Sequence, residues 1–223
     1  MTRKIVAGAS ALVVVTMLGT ALAVGATLPP DVQLPTHWGL DGKPDGFSGK
    51  WGALLLPAAI IASLSLLFFL LPSLEPRREG LERSHGLYLW GWVALLLMGA
   101  IIQLAVVATT LGWSVDPARL IVGGTGAMLV LIGNQLGKSR SMYLIGMRTP
   151  WTLASEDVWI RTHRLAGKLM VAAGFAIAAA ALIDLPAEWR MALVLGAIAL
   201  SAVLPIAYSF LLWRRERAAQ PSE

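Results

Sequence analysis

Two polar stretches of this chain hold residue types that could do chemistry. The first, residues 29–51, carries His37 among Asp31, Asp41 and Asp45, with Pro35 and Trp38 beside the histidine. Imidazole and carboxylate groups suit a hard or borderline cation. The Asp41–Asp45 spacing does not follow the calcium-loop pattern, so no metal is assigned there. The second, residues 137–168, contains Ile145-Gly146-Met147-Arg148-Thr149-Pro150-Trp151-Thr152-Leu153. Its turn formers, cations and tryptophans must sit where membrane meets water, which makes it a candidate place for chemistry or recognition. Arg148 is a natural partner for Glu156, for Asp157 or for a lipid phosphate, because guanidinium pairs with such anions are charge-assisted.

Several other chemistries are excluded. With no cysteine there is no disulfide, no thiolate metal site and no cysteine nucleophile. No HExxH occurs, nor a GxSxG with suitable partners. His85 and His163 fall near the ends of apolar stretches, so paired haem ligation inside a membrane is not expected. Gly123-Gly124-Thr125-Gly126 lacks the lysine and the preceding strand of a phosphate loop; close helix packing explains it better. No catalytic residue and no cofactor is assigned.

The elements that must position these stretches are apolar. The 223 residues are 57% hydrophobic and 14% charged, with mean hydropathy +0.69. A soluble domain carries roughly 25% charged residues. A membrane-spanning helix needs about 20 apolar residues. Segments 5–28, 52–72, 87–111, 119–136, 166–185 and 190–213 qualify. The first imitates a signal peptide, with Arg3 and Lys4 before it and Ala21-Leu22-Ala23 near its end. Its apolar stretch exceeds a signal h-region, and a retained span is expected. The predicted fold is an all-α membrane protein of six transmembrane helices, arranged as three helical hairpins, with an interfacial helix before the fifth span. Residues 1–86 form a two-span region with a structured outer loop, and residues 87–223 a four-span region.

Charge placement orients the chain. With both termini inside, 14 of the 18 Lys and Arg are cytosolic, and only Lys43, Lys50, Arg119 and Arg190 fall outside. The positive-inside rule asks for this asymmetry. The basic balance therefore reads as topology and contact with membrane lipids, not as nucleic-acid binding. The expected location is the bacterial inner membrane, multi-pass, with both termini cytoplasmic.

Inside the spans only weaker polar groups occur, chiefly Gln103, Asn134 and Gln135. Interhelical hydrogen bonding and a substrate path are both open readings. The absence of ionisable groups argues against proton coupling. In the inner stretch Thr149 can cap a helix that Pro150 begins. Ser155-Glu156-Asp157 offers a second start. The expected shape is a short helix, a break, then an interfacial helix feeding the fifth span. Trp151 and Trp159 would anchor it at the membrane surface, and Arg161, Arg164 and Lys168 would face phosphates. A plain amphipathic anchor is the alternative. In the outer stretch Pro and Gly impose turns, and Trp38, Phe47 and Trp51 can sit at headgroup depth.

Gly133-Asn134, the run Ile145 to Leu153, then Glu156, Val158-Trp159 and Arg164 together resemble the signature of the SdpI family, bacterial multi-pass proteins named for immunity to a secreted peptide toxin. Leu28-Pro29, Pro35-Thr36-His37-Trp38, Gly42 and Lys50 resemble the domain of unknown function often found before that signature. One departure is visible: Met142-Tyr143-Leu144 stands where the family commonly has an asparagine before the Ile-Gly pair. The resemblance implies toxin immunity. It also implies, as possible partners, a secreted peptide toxin on the outer face and a cytosolic transcriptional repressor withdrawn to the membrane. The resulting expectation is a non-enzymatic protein that protects against or senses a membrane-active peptide. Its functional motif comprises Asn134, Gly146, Arg148, Thr149, Pro150, Trp151, Thr152, Glu156, Trp159 and Arg164. Pro35, His37, Trp38, Asp41 and Asp45 are candidate ligand contacts outside. The alternatives are a small-molecule or peptide exporter and a metal-dependent enzyme acting on lipid.

Overall fold

A computed structural model describes residues 1–39 and 43–219. Asp41 and Gly42 lie outside the described residues. Six described helices are long and apolar enough to cross a membrane: α1 (Arg3–Thr27), α2 (Lys50–Leu74), α4 (His85–Thr110), α5 (Pro117–Leu136), α7 (Glu156–Leu182) and α8 (Ala187–Ala219). Two short helices, α3 (Arg78–Arg83) and α6 (Pro150–Ala154), lie between them. The chain is a multi-pass membrane protein. The start of α1, the end of α8, α3 and α6 fall at one end of the bundle.

The helix starts follow from local chemistry. Asp116 accepts from the N–H groups of Ala118 and Arg119 at 2.9 and 3.2 Å, ahead of Pro117. Such a cap satisfies donors that a helix leaves unpaired, and proline at the first position loses nothing. The Lys50 ammonium, buried at the start of α2, donates to the carbonyls of Gly25 and Leu28 at 2.9 and 2.7 Å. A cation there complements the negative end of the α1 dipole.

The three expected hairpins α1–α2, α4–α5 and α7–α8 all pack as neighbours, and α5 against α7 is the most extensive helix pair. Glycine explains that pair. A Cβ on Gly126 would stand 2.6 Å from the Gly174 carbonyl oxygen, and one on Gly174 2.6 Å from that of Gly126. Seven residues along, Gly133 and Gly167 face each other in the same way, at 2.9 and 2.6 Å. Lipid supplies no hydrophobic drive between helices, so backbone approach and dispersion must hold them. The expected packing role of the 123–126 run is met by Gly124 and Gly126. Gly124 faces Ile101 and Met98 of α4. Gln103 is an interhelical link: its amide donates to the Met17 carbonyl at 3.3 Å. Trp92 donates to Ser65 at 3.2 Å and Tyr88 to the Phe68 carbonyl at 2.8 Å, joining α4 to α2.

Two details depart from the sequence reading. The outer loop holds a strand pair, β1 (Gln33–Trp38) against β2 (Pro44–Gly49), antiparallel and irregular around His37. The irregular register and the Pro and Gly content hide the strand signal. Leu34 of β1 is buried in an apolar cluster with Ala21, Ala53, Leu54 and Val106, with Trp38 packed against it. The expected interfacial helix is not a separate element. Residues 156–168 are the first turns of α7, which runs unbroken into the span. Val158, Trp159, Thr162, His163 and Ala166 are buried along this part, so tertiary packing holds it upright.

Candidate functional site

Between α5 and α6 the chain runs without regular structure from about residue 138 to 149. Backbone donors in such a stretch need partners elsewhere. Side chains from four directions supply them. Arg140 N–H donates to Ser84 Oγ at 2.8 Å, and Ser141 N–H to the Glu156 carboxylate at 3.2 Å. Tyr143 and Leu144 N–H donate to the two oxygens of Glu75 at 2.9 and 2.8 Å. Met147 N–H donates to His163 Nε2 at 2.9 Å, and Thr149 N–H to Thr152 Oγ1 at 2.9 Å. The segment is thus shaped by its surroundings.

Glu75 is the centre of this arrangement. It ends α2, is 2% exposed, and also accepts from Arg77 N–H at 2.9 Å. A buried carboxylate is tolerated when such donors replace water. Arg77 completes the clamp. Its guanidinium donates to Ser141 Oγ, to Tyr143 Oη at 3.2 Å and to the Leu153 carbonyl at 3.2 Å, and lies 4.5 Å from the Tyr143 ring centre. The same segment closes on α3: a Cβ on Gly80 would meet the Ser141 carbonyl oxygen at 2.1 Å.

His163 forms the second clamp. It is fully buried and stacked on Trp159 with ring centres 4.0 Å apart. Nδ1 lies 2.8 Å from the Trp159 carbonyl, so it carries the proton, and Nε2 is left to accept from Met147. This is the neutral tautomer. Gly146 passes over this pair with φ +115°, and a Cβ there would lie 2.8 Å from both His163 Nε2 and the Trp159 ring. Conformation and space both require glycine.

The motif residues divide into groups. Thr149 and Thr152 form a reciprocal cap around Pro150, as the Thr-Pro pair predicted, and Thr152 also donates to the Met147 carbonyl at 2.8 Å. Ser155 caps α7 at Val158 N–H, 3.2 Å. Trp159 is no surface anchor: it is completely buried and donates to Ser139 Oγ at 3.2 Å. Trp151 is half-buried against α8, donating to Ser209 Oγ and ringed by Phe210 and Trp213. Arg148 does not meet Glu156 or Asp157. It is exposed and donates to the Tyr143 carbonyl at 2.7 Å, because Ser141 and Arg140 hold Glu156 while Arg161 holds Asp157. Asn134 and Arg164 stand apart, exposed on a groove between α5 and α7.

In the hairpin, His37 Nδ1 lies 2.5 Å from Asp45 Oδ1, both well exposed, while Pro35 is buried. Asp41 is outside the described residues. Among the described residues no three metal-ligating side chains converge. Phe47 and Trp51 are exposed beside the hairpin. Sequence reasoning missed Glu75 and His163. Glu75 did leave a signal: an acid at a helix C-terminus opposes the dipole and must find donors elsewhere.

Residues 138–209 match the SdpI/YfhL protein family, and residues 12–61 match a domain of unknown function (DUF1648). Over 146 residues, 66% of this chain and 68% of the relative, the chain is 29% identical to the protein named Immunity protein SdpI from Bacillus subtilis (strain 168). No solved structure matches. The 138–153 segment and its His163 clamp lie within the first of these matches and the hairpin within the second, while Glu75 and Arg77 fall between the two. Residues 138–209 thus carry an SdpI/YfhL family segment with a DUF1648 domain ahead of it, and the chain is a distant homologue of that immunity protein.

Proposed function

We propose that this protein, without enzymatic activity, protects the cell against a secreted membrane-active peptide or similar amphiphile, or senses it. The outer hairpin makes first contact, and α2 carries the resulting state to the inner segment. The carrying observation is that α2 has the hairpin at one end and the Glu75–Arg77 clamp at the other. A shift of α2 therefore changes what the 141–153 segment is bonded to. An apolar cavity of about 270 Å³ supports the same reading. It starts at Thr36 of β1 and continues between α2 and α4, lined by Pro57, Ile60, Met98 and Ile102. The apolar face of an amphiphile fits such a lining. On this reading residues 1–86 receive and residues 87–223 respond, and a cytosolic repressor is a candidate partner at the inner face.

The orientation belongs to the proposal: the end with both termini is cytosolic, since it carries most of the cations. The absence of cysteine makes a clean test. With Gln33→Cys and Ala154→Cys as single probes, an impermeant maleimide added to intact cells labels the first and spares the second. The reverse pattern overturns the orientation. For the function, cells lacking the gene are challenged with membrane-active peptides secreted by the same organism and its neighbours. Wild type restores survival; Glu75→Gln and a His37→Ala/Trp38→Ala variant, present at equal membrane levels, do not. Equal survival with wild type and with empty vector overturns the proposal.

A further inference from the structure

The two ends of the bundle treat their cations differently. Away from the termini, Arg119 pairs with Asp116 at 3.3 Å and with Asp184, and Arg190 reaches Asp116 at 3.8 Å. At the terminus-bearing end, Lys138, Arg164 and Lys168 are all exposed. Nearby acids are engaged elsewhere: Glu156 lies 4.0 Å from Arg140, and Asp157 lies 3.4 Å from Arg161. None of the ion pairs among the described residues includes Lys138, Arg164 or Lys168.

These three cations line one groove of about 470 Å³, together with Asn134, Val171 and Ala172. No carboxylate lines it among the described residues. The groove exists because α5 and α7 meet there through glycine. Gly133, Gly137 and Gly167 form its floor, and a Cβ on Gly137 would already stand 3.3 Å from Arg164 Cα. Arg164 and Lys168, one turn apart on α7, also border a second groove of about 420 Å³ with Arg161 and Tyr208. The lining is two-sided in character. Cations and an amide occupy the rim, and Val171 and Ala172 lead into the apolar part of the span. Long cationic side chains near a helix end carry their charge to headgroup level, where anionic phosphates attract them. A ligand with a phosphate and an attached chain matches both parts; a free phosphate matches only the rim.

We propose that this groove binds the headgroup of an anionic phospholipid. Lys138, Arg164 and Lys168 hold the phosphate, the Asn134 amide donates to it, and one acyl chain lies along Val171 and Ala172. The site is independent of the toxin-related function.

The test uses the purified full chain in neutral detergent, with bound lipid counted by native mass spectrometry. Wild type retains phosphatidylglycerol over phosphatidylcholine, and each cation removed lowers that preference about fivefold. Arg164→Gln/Lys168→Gln therefore abolishes it. Arg214→Gln/Arg215→Gln, with cations at the same end but outside the groove, keeps it. The proposal is overturned by equal retention of the two lipids by wild type, or by equal loss in both double variants. Displacement of phosphatidylglycerol by an equal concentration of inorganic phosphate also overturns it, in favour of a soluble anion. If the groove double variant does not fold, Lys138→Gln decides: a partial loss supports the site, and an unchanged preference overturns it.

Discussion

The outer hairpin and the inner segment both interrupt apolar helices, yet they satisfy their backbones in opposite ways. The hairpin pairs its own strands and turns His37, Asp45 and Phe47 toward the surroundings. The inner segment has almost no backbone pairing of its own. Its N–H groups go to Ser84, Glu75, Glu156 and His163, which lie on other elements. A self-paired element can change side chains at little structural cost and is suited to meeting a variable ligand. A segment held from several elements reports on their relative positions, and is suited to registering a state.

The sharpest way to break this contrast is at Glu75. Glu75→Ala leaves three part-buried backbone donors without their acceptor, at a cost of about 3 kcal/mol. Limited proteolysis should then cut within residues 138–149, and the thermal midpoint in detergent should fall steeply. A protease-resistant segment with an unchanged midpoint would mean the clamp does not hold it. Gly146→Ala comes next. A positive φ and a clash with Trp159 and His163 predict a loss of about 2 kcal/mol, read by the same two measurements. If alanine is silent there, the backbone over His163 is looser than this structure has it.

Smaller effects sharpen the contrast. Arg148→Ala removes one exposed hydrogen bond to the Tyr143 carbonyl, worth about 1 kcal/mol. Its survival phenotype should exceed its stability loss, because the exposed guanidinium has further donors for a partner beside its bond to Tyr143. Wild-type protection by this variant would remove Arg148 from the response. Least destabilising is His37→Ala, since exposed ion pairs contribute less than about 1 kcal/mol. The midpoint should barely move while protection against added peptide is lost. A large drop in midpoint with protection intact would reverse the roles of the two regions.

Much of the inner site's local geometry could be read from its residues. Thr149-Pro150 and Ser155 mark helix starts through bonds only three residues long, and those starts are where they were expected. The clamps were not legible, because Glu75 lies 68 and 69 residues from the N–H groups it accepts. The tryptophans show the same limit. Trp151 and Trp159 are eight positions apart and chemically identical, and both read as membrane-surface anchors. One packs against α8 and the other is sealed beneath Gly146.

By itself the sequence determined six apolar spans, the helix caps and the family resemblance. Length, hydropathy and short-range hydrogen bonding are all local properties. Only the tertiary structure decided that the outer loop is a strand pair, that residues 156–168 stand upright in α7, and that Glu75 and His163 shape the motif. Each of those outcomes depends on which buried donors, acceptors and glycine faces meet across long sequence separations. In a membrane most apolar surfaces are interchangeable, so those few polar and close-packed contacts select one arrangement.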